Sequence, residues 1–393
     1  MRKQHFAFAA AMLAASSLLA ADATQPDALE ARAKASLAKG AAWLVAQQGT
    51  NGVWSNPTFP ALTALPAWAL SGTGANKDAV AKAAEFVRAC SQPDGGIYVT
   101  VPGRRGGALG TYNTAICMTA LHYADNAGST RIIQKAREYV AATQLTGDDG
   151  AATAGGFGYE KNSPGGYADL NNSAWCIAAM RVTQDVEEQR PAGEKKVDID
   201  WDAALSFVEK MQIKDGEKGA DPDDKGGFLY KRESGKPPAP PEGMKGKRPE
   251  GAAAASPGKR PPLRSYGSIT YSGLEAMIFA QLGRDDPRVV SAVDYTRRHW
   301  TVDENPGMGA QGLYYYYTIM ARALSLLDVN ELPSAKEGQP AVKWRDELLE
   351  KVVALQKEDG SWANDNNRFW ENDPVLCTSY SMLAIEYALR MFK

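Results

Sequence analysis

The sequence predicts an all-α fold: six helix pairs closed into an (α/α)6 toroid, a barrel of six parallel inner helices within six outer ones. Three features carry this expectation. Helical runs of two kinds alternate along the chain, one amphipathic with a charged face and one apolar almost throughout. A glycine turn bearing an aromatic residue separates the members of most pairs. No stretch alternates apolar and polar residues in the manner of a half-buried strand. Residues 155–180 show the unit: Gly-Gly-Phe-Gly-Tyr, a polar loop, then Asp-Leu-Asn-Asn-Ser-Ala-Trp-Cys-Ile-Ala-Ala-Met.

The first outer helix spans 28–48, with Leu29, Ala33, Leu37, Ala41 and Leu44 on one stripe. Gln48 and then Gly52-Val53-Trp54 close it, glycine suiting the left-handed position at a helix end. The apolar run 59–70 is its inner partner. The later pairs read 77–92 with 112–124, 130–144 with 172–182, 200–212 with 268–282, 286–300 with 314–327, and 342–356 with 374–391. Each second helix is apolar all round and therefore needs burial all round. A closed ring provides that, whereas an open solenoid leaves one face of those helices in water.

Residues 1–23 read as a secretory signal: Arg2 and Lys3, the apolar run 6–21, then the small residues Ala21-Asp22-Ala23. The run falls short of the ~20 apolar residues of a membrane span. The expected location is periplasmic or extracellular, with no transmembrane segment after signal removal and one toroid domain over 24–393. Residues 231–264 break the pattern with eight prolines and nine Lys/Arg against three Glu. They read as a disordered Pro-rich basic insertion. With a formal net charge of −2 for the whole chain, the rest of the mature protein is acidic, which argues against nucleic acid as a partner. Three of the four cysteines (Cys90, Cys117, Cys176 and Cys377) lie in apolar helical runs. An exported chain could pair them, but their setting reads as buried free thiols.

Gln48 with Gly52-Val53-Trp54, Gln92 with Asp94-Gly95-Gly96, and Gln356 with Asp359-Gly360-Ser361-Trp362 resemble the QW repeats of squalene–hopene cyclases. The wider resemblance, over nearly all of the mature chain, is to the prenyltransferase and squalene oxidase repeat proteins, among them exported bacterial proteins of largely unassigned function. It implies the α/α toroid fold. The repeat also has a physical logic. A glutamine at an outer helix end can bond backbone groups left open at the turn, and the aromatic after glycine can plug the wall between helix pairs. Such residues identify a fold and not a reaction.

The chemistry of those families carries over poorly. Asp221-Pro222-Asp223-Asp224 matches the cyclase DxDD motif literally. An acid that protonates an alkene needs a dry setting, and these residues sit in a turn beside the insertion, where a wet acidic loop is expected. Prenyltransferase β subunits hold zinc with Asp, Cys and His. Asp373 and Cys377 stand one turn apart here, but no third ligand accompanies them, and Asp373 before Pro374 suits a helix cap. No metal or cofactor is expected.

Aligning the inner helices places Thr63, Thr114, Ser173, Thr270 and Thr378 in one row, with Tyr317 in the fifth unit. The row reads as helix capping and wall packing, or as a polar rim at the mouth, where parallel helix N-termini favour anionic or oxygen-rich ligands. Glu275 and Arg322 fall at equivalent places on neighbouring inner helices and are expected to pair, because an isolated buried charge is too costly. Candidate cavity-lining residues are Asp169, Asn172, Tyr271, Tyr315 and Asp373. The functional readings are a terpenoid cyclase-like or related enzyme on an isoprenoid or other lipid, a non-enzymatic envelope binding or scaffold protein, and a polysaccharide-active enzyme. The expected partner is an apolar or polyhydroxylated small molecule in the central cavity, while the binding or scaffold reading uses the mouth and the basic insertion.

Overall fold

A computed structural model describes residues 25–101, 109–147, 152–161, 166–232 and 263–392. The signal read over 1–23 and most of the 231–264 insertion lie outside the described residues. In chain order the α-helices are α1 (Gln25–Gln47), α2 (Ala61–Gly72), α3 (Lys77–Ala89), α4 (Gly110–Ala141), α5 (Leu170–Val182), α6 (Gln184–Glu188), α7 (Trp201–Met211), α8 (Gly267–Phe279), α9 (Pro287–Arg298), α10 (Leu313–Leu326), α11 (Trp344–Ala354) and α12 (Pro374–Ala388). Among the described residues there is no strand, only isolated bridges in the turns.

The inner helices form a closed circuit. α2 packs on α4, α4 on α5, α5 on α8, α8 on α10, α10 on α12, and α12 back on α2. The apolar second helices are buried as their composition requires: every residue of α12 from Val375 to Ala388 is buried, as is α5 from Asn172 to Met180. The outer helices bury one stripe, such as Ala79, Val80, Ala83, Ala84 and Val87 of α3. Two features were not read from the sequence. The second inner helix and third outer helix run together as α4, bent at Asp125 (φ −158°, ψ 56°), whose carboxylate pairs with Arg88 of α3. The short helix α6 is held by a buried cluster in which the Arg190 Nε lies 2.7 Å from Glu187 Oε1. There Arg137 donates to the Met180 carbonyl at 2.5 Å and to Thr183 Oγ1 at 2.9 Å.

The turns between outer and inner helices repeat one construction. Gln48 Nε2 donates to the Gly52 carbonyl (3.0 Å) and to the Ala79 carbonyl of the next outer helix (2.9 Å). Gln144 does the same with Gly155 and Asp200, Gln212 with Gly226 and Arg288, and Gln356 with Gly360 and Ser36. Gln92 differs: its Nε2 donates within its own turn, to the carbonyls of Cys90 and Tyr98. The turn glycine is obligatory. Gly155 has φ +88°, and a Cβ there would run into the Ala203 carbonyl of α7. The plug that follows is fully buried: Trp54 and Trp362 each donate their indole N–H to a carbonyl of the preceding outer helix, at 2.8 Å.

The hydroxyl row belongs to the same construction. Thr63 Oγ1 accepts the Trp54 backbone N–H (3.1 Å), Thr114 that of Ile97 (2.9 Å), Ser173 that of Phe157 (2.9 Å), Thr270 that of Phe228 (3.1 Å) and Thr378 that of Trp362 (3.0 Å). Each hydroxyl latches a plug to its inner helix and is spent inside the wall, so the row is packing and not a polar rim. The fifth unit lacks the glutamine. There Asn305 accepts the Ser268 N–H (2.9 Å), and the hydroxyls of Tyr316 and Tyr317 donate to the carbonyls of Thr301 and Val302.

Candidate functional site: the tyrosine-lined mouth

At the end where the inner helices begin, Asp169 caps α5 with extended backbone (φ −140°) and accepts the Asn172 N–H at 2.9 Å. Asn172 Nδ2 donates to its other oxygen at 2.7 Å. Both residues are fully buried. Burial pushes the Asp169 carboxyl up to about 6, while hydrogen bonds from Asn172, Tyr167 and Tyr230 hold it from rising further. Around it stand three tyrosines. The hydroxyls of Tyr159 and Tyr230 are 2.8 Å apart, Tyr167 donates to Tyr230 at 3.3 Å, and the Tyr159 and Tyr167 rings stack at 6.1 Å. The Lys231 ammonium sits 4.5 Å over the Tyr167 ring.

Tyr315 of α10 reaches across the ring. Its hydroxyl donates to Asn171 Oδ1 on α5 at 2.9 Å and lies 3.1 Å from Ser272 Oγ. Its own N–H donates to Glu371 Oε1 at 2.9 Å, and Asn364 Nδ2 donates to Glu371 Oε2 at 2.7 Å. Glu371 thus satisfies an open N–H at the start of α10. Burial pushes its carboxyl up to about 7. Tyr112 and Tyr315 both pack on Trp175, at 6.3 and 6.4 Å.

Below Trp175, aromatic rings surround a buried charge. The Arg322 guanidinium lies 4.8 Å from the Trp175 ring centre, 5.3 Å from Trp68 and 5.9 Å from Tyr387, a cation held among aromatic faces. It pairs with Glu275 at 2.9 Å, as expected from the sequence. Burial pushes Glu275 up to about 7 against the pull of Arg322. Phe392 closes the far end against Tyr123 and Tyr387, each at 5.0 Å. A cavity of about 440 Å³ lies at this end between α2, α3 and α4, beside Ser71, Lys77, Tyr123 and the Arg88–Asp125 pair. It does not include the mouth residues.

Of the candidates read from sequence, Asp169, Asn172 and Tyr315 come together at the mouth. Tyr271 does not join them: it packs against Tyr316 at 5.8 Å, in the wall toward Tyr295 and Thr296 of α9. Asp373 caps α12, accepting the Val375 N–H at 2.9 Å. Asp221 and Asp223 are exposed, in the wet turn expected of them. The four cysteines are buried and free, and the Cys377 thiol donates to the Glu371 carbonyl at 2.8 Å. Among the described residues no group of three or more His, Cys, Asp or Glu converges as metal ligands, and no helix is long and apolar enough to cross a membrane.

Sequence reasoning missed Glu371, Tyr159, Tyr167 and Tyr230. Two of these had a signal. Phe157 and Phe228 plug the wall, and a tyrosine stands two places beyond each plug, Tyr159 and Tyr230, whose hydroxyls meet.

No family profile matches the chain, and no curated protein matches it. Solved structures do. A variant of the type II terpene cyclase MstE from Scytonema, in complex with merosterolic acid A, matches at 15% identity with a TM-score of 0.54, covering 93% of this chain and 99% of that one. Another MstE variant, in complex with geranylgeranyl dihydroxybenzoate, matches at 13% identity, a TM-score of 0.54 and the same coverage. A glycosidase, also solved with glucose, matches at 10% identity and a TM-score of 0.53, over 93% of this chain and 98% of that one. The chain therefore has the α/α-toroid fold of these terpene cyclases and glycosidases.

Proposed function

We propose that the mouth of the toroid binds a polyhydroxylated ligand, the end of a glycan chain, with Asp169 as the group that can hand it a proton. The observation that carries this reading is the Asp169 carboxyl itself: fully buried, pushed up to about 6, and set among the hydroxyls of Tyr159, Tyr167 and Tyr230. Such a carboxyl can donate a proton below that pH and accept one above it. Tyrosines offer a sugar both hydroxyl partners and flat faces. Asn171 and the Tyr315 hydroxyl, with the buried Ser272 hydroxyl behind it, carry polar groups across the ring. The apolar run of residues 6–21 supports export, and envelope glycans are then the source of the ligand.

An isoprenoid cyclisation fits the lumen less well. The aromatic cage that would stabilise a carbocation already holds Arg322. Those faces are thus taken up by a guanidinium whose charge Glu275 balances, and are not free for a second cation.

The test uses the mature chain and a panel of soluble neutral and acidic oligosaccharides, with tryptophan fluorescence for binding and reducing-end release for cleavage. Saturable binding of at least one sugar is expected. Asp169→Asn keeps a good helix cap and is expected to keep binding while losing any cleavage. Absence of saturable binding to every sugar, with co-purifying isoprenoid lipids bound instead, would overturn the reading.

A further inference from the structure

Phe369 is 48% exposed and is the one aromatic among the large hydrophobic side chains that stand out from the described surface. It lies in the short 3₁₀ turn Arg368–Trp370, just before α12. Phe369 (φ +59°) and Trp370 (φ +64°) are consecutive non-glycine residues in the left-handed region. That conformation is strained for residues with a Cβ and persists only where the surroundings enforce it.

The surroundings here do enforce it. The Trp370 ring packs edge-on against Phe59 at 4.7 Å. The Trp370 carbonyl accepts the Asp373 N–H at 2.8 Å, and the Glu371 carbonyl accepts the Asn364 N–H at 2.9 Å. The Phe369 ring rests by Gly312, where a Cβ would come within 3.4 Å of it, and the Arg368 guanidinium lies 5.0 Å from its centre. None of these contacts buries the ring. The turn holds an apolar face in water that a relaxed backbone would be free to fold away.

Its place is the rim of the mouth. The residue after the turn is Glu371, which is bonded to the Tyr315 N–H, and Tyr315 reaches Asn171 at the centre. We infer that Phe369 is a stacking platform for one sugar ring of the ligand, a subsite beside the Asp169 cluster. This rests on the glycan reading of the mouth. A pyranose suits the place because it has an apolar C–H face for the phenyl ring and hydroxyls for the neighbouring guanidinium and amides. A hydrocarbon chain would meet one isolated ring flanked by Arg368 and by the exposed Asp365 and Asn367.

The experiment measures dissociation constants for the oligosaccharide panel with the full chain and with Phe369→Ala, Phe369→Trp and Phe369→Gly. Stacking of one ring corresponds to about a tenfold change in affinity. Phe369→Ala is expected to weaken binding about tenfold, and Phe369→Trp to restore it. Phe369→Gly is expected to bind as weakly as the alanine variant while raising the melting temperature by roughly 1–3 °C, because glycine adopts the left-handed position without strain. A sugar that wild type binds and Phe369→Ala binds equally well overturns the subsite alone. A glycine variant that melts lower than wild type overturns the enforced presentation. If wild type binds no sugar, the glycan reading of the mouth falls and this inference falls with it.

Discussion

Replacing Thr114 with valine tests the latch that closes each wall of the ring. Thr114 Oγ1 accepts the Ile97 N–H at 2.9 Å and donates to the Gly110 carbonyl at 2.7 Å. Both Thr114 and Ile97 are fully buried. Valine keeps the shape and removes the oxygen, so no cavity opens. The orphaned Ile97 N–H then costs its desolvation, about 1–3 kcal/mol. A loss near 2 kcal/mol corresponds to a fall of about 3 °C in melting temperature for a chain of this size. Thr119 lies on the same helix and is just as buried, but its hydroxyl only donates to the Ala115 carbonyl at 2.9 Å and accepts nothing from a turn. Thr119→Val should therefore cost less than about 1 kcal/mol. Equilibrium urea denaturation gives both numbers, read as a shift in midpoint at constant slope. Equal losses for the two variants would refute the latch and reduce the row of hydroxyls to ordinary helix packing.

Two further outcomes follow from the buried charges. Glu275→Met leaves Arg322 buried without its counter-ion and should cost about 3–5 kcal/mol, most of it recovered in the Glu275→Met, Arg322→Met double variant; a double variant no more stable than the single one would contradict the pairing. Asp169, Glu275 and Glu371 have carboxyls raised to about 6, 7 and 7, above the ~4 of an unfolded chain. The folded state therefore holds protons that the unfolded state releases, and their contribution is complete below about pH 4 and lost as pH rises through 6 to 7. Melting temperature followed over that window should fall more steeply in wild type than in Glu371→Gln, and parallel slopes would show that Glu371 does not titrate there.

The ring was legible because its inner helices must be buried on every side and their sequences say so. The register was legible too, as the Glu275–Arg322 pair demonstrates. What escaped was set by position in space. Glu371 follows a turn whose left-handed backbone at Phe369 and Trp370 no propensity predicts, and only the fold brings it to the start of α10. Tyr271 and Tyr315 look alike in sequence, each lying near the start of an apolar helix, yet one turns into the wall and the other across the lumen. The face of an inner helix that meets the lumen cannot be told from the faces that meet its neighbours when all of them are apolar. The joining of two predicted helices into α4 was likewise hidden, since the Asp125 bend keeps the chain helical on both sides, with Gly128 packed against the Asp125 carboxylate.

The stitch from Gln356 to the Ser36 carbonyl joins residues 320 positions apart. It makes the last wall of the toroid from the two extremities of the fold. An open array of repeats can gain or lose a unit and still be a shorter or longer array, protected by its end caps. Here the first and last units cap each other. Unit number is then fixed by geometric closure: five pairs leave a gap that six were curved to fill. During synthesis the first pair must wait, half its surface uncovered, until the sixth emerges. Such a chain is at its most aggregation-prone just before completion, and a circularly permuted version, cut between any two walls, would have the same walls to build and a different pair left waiting.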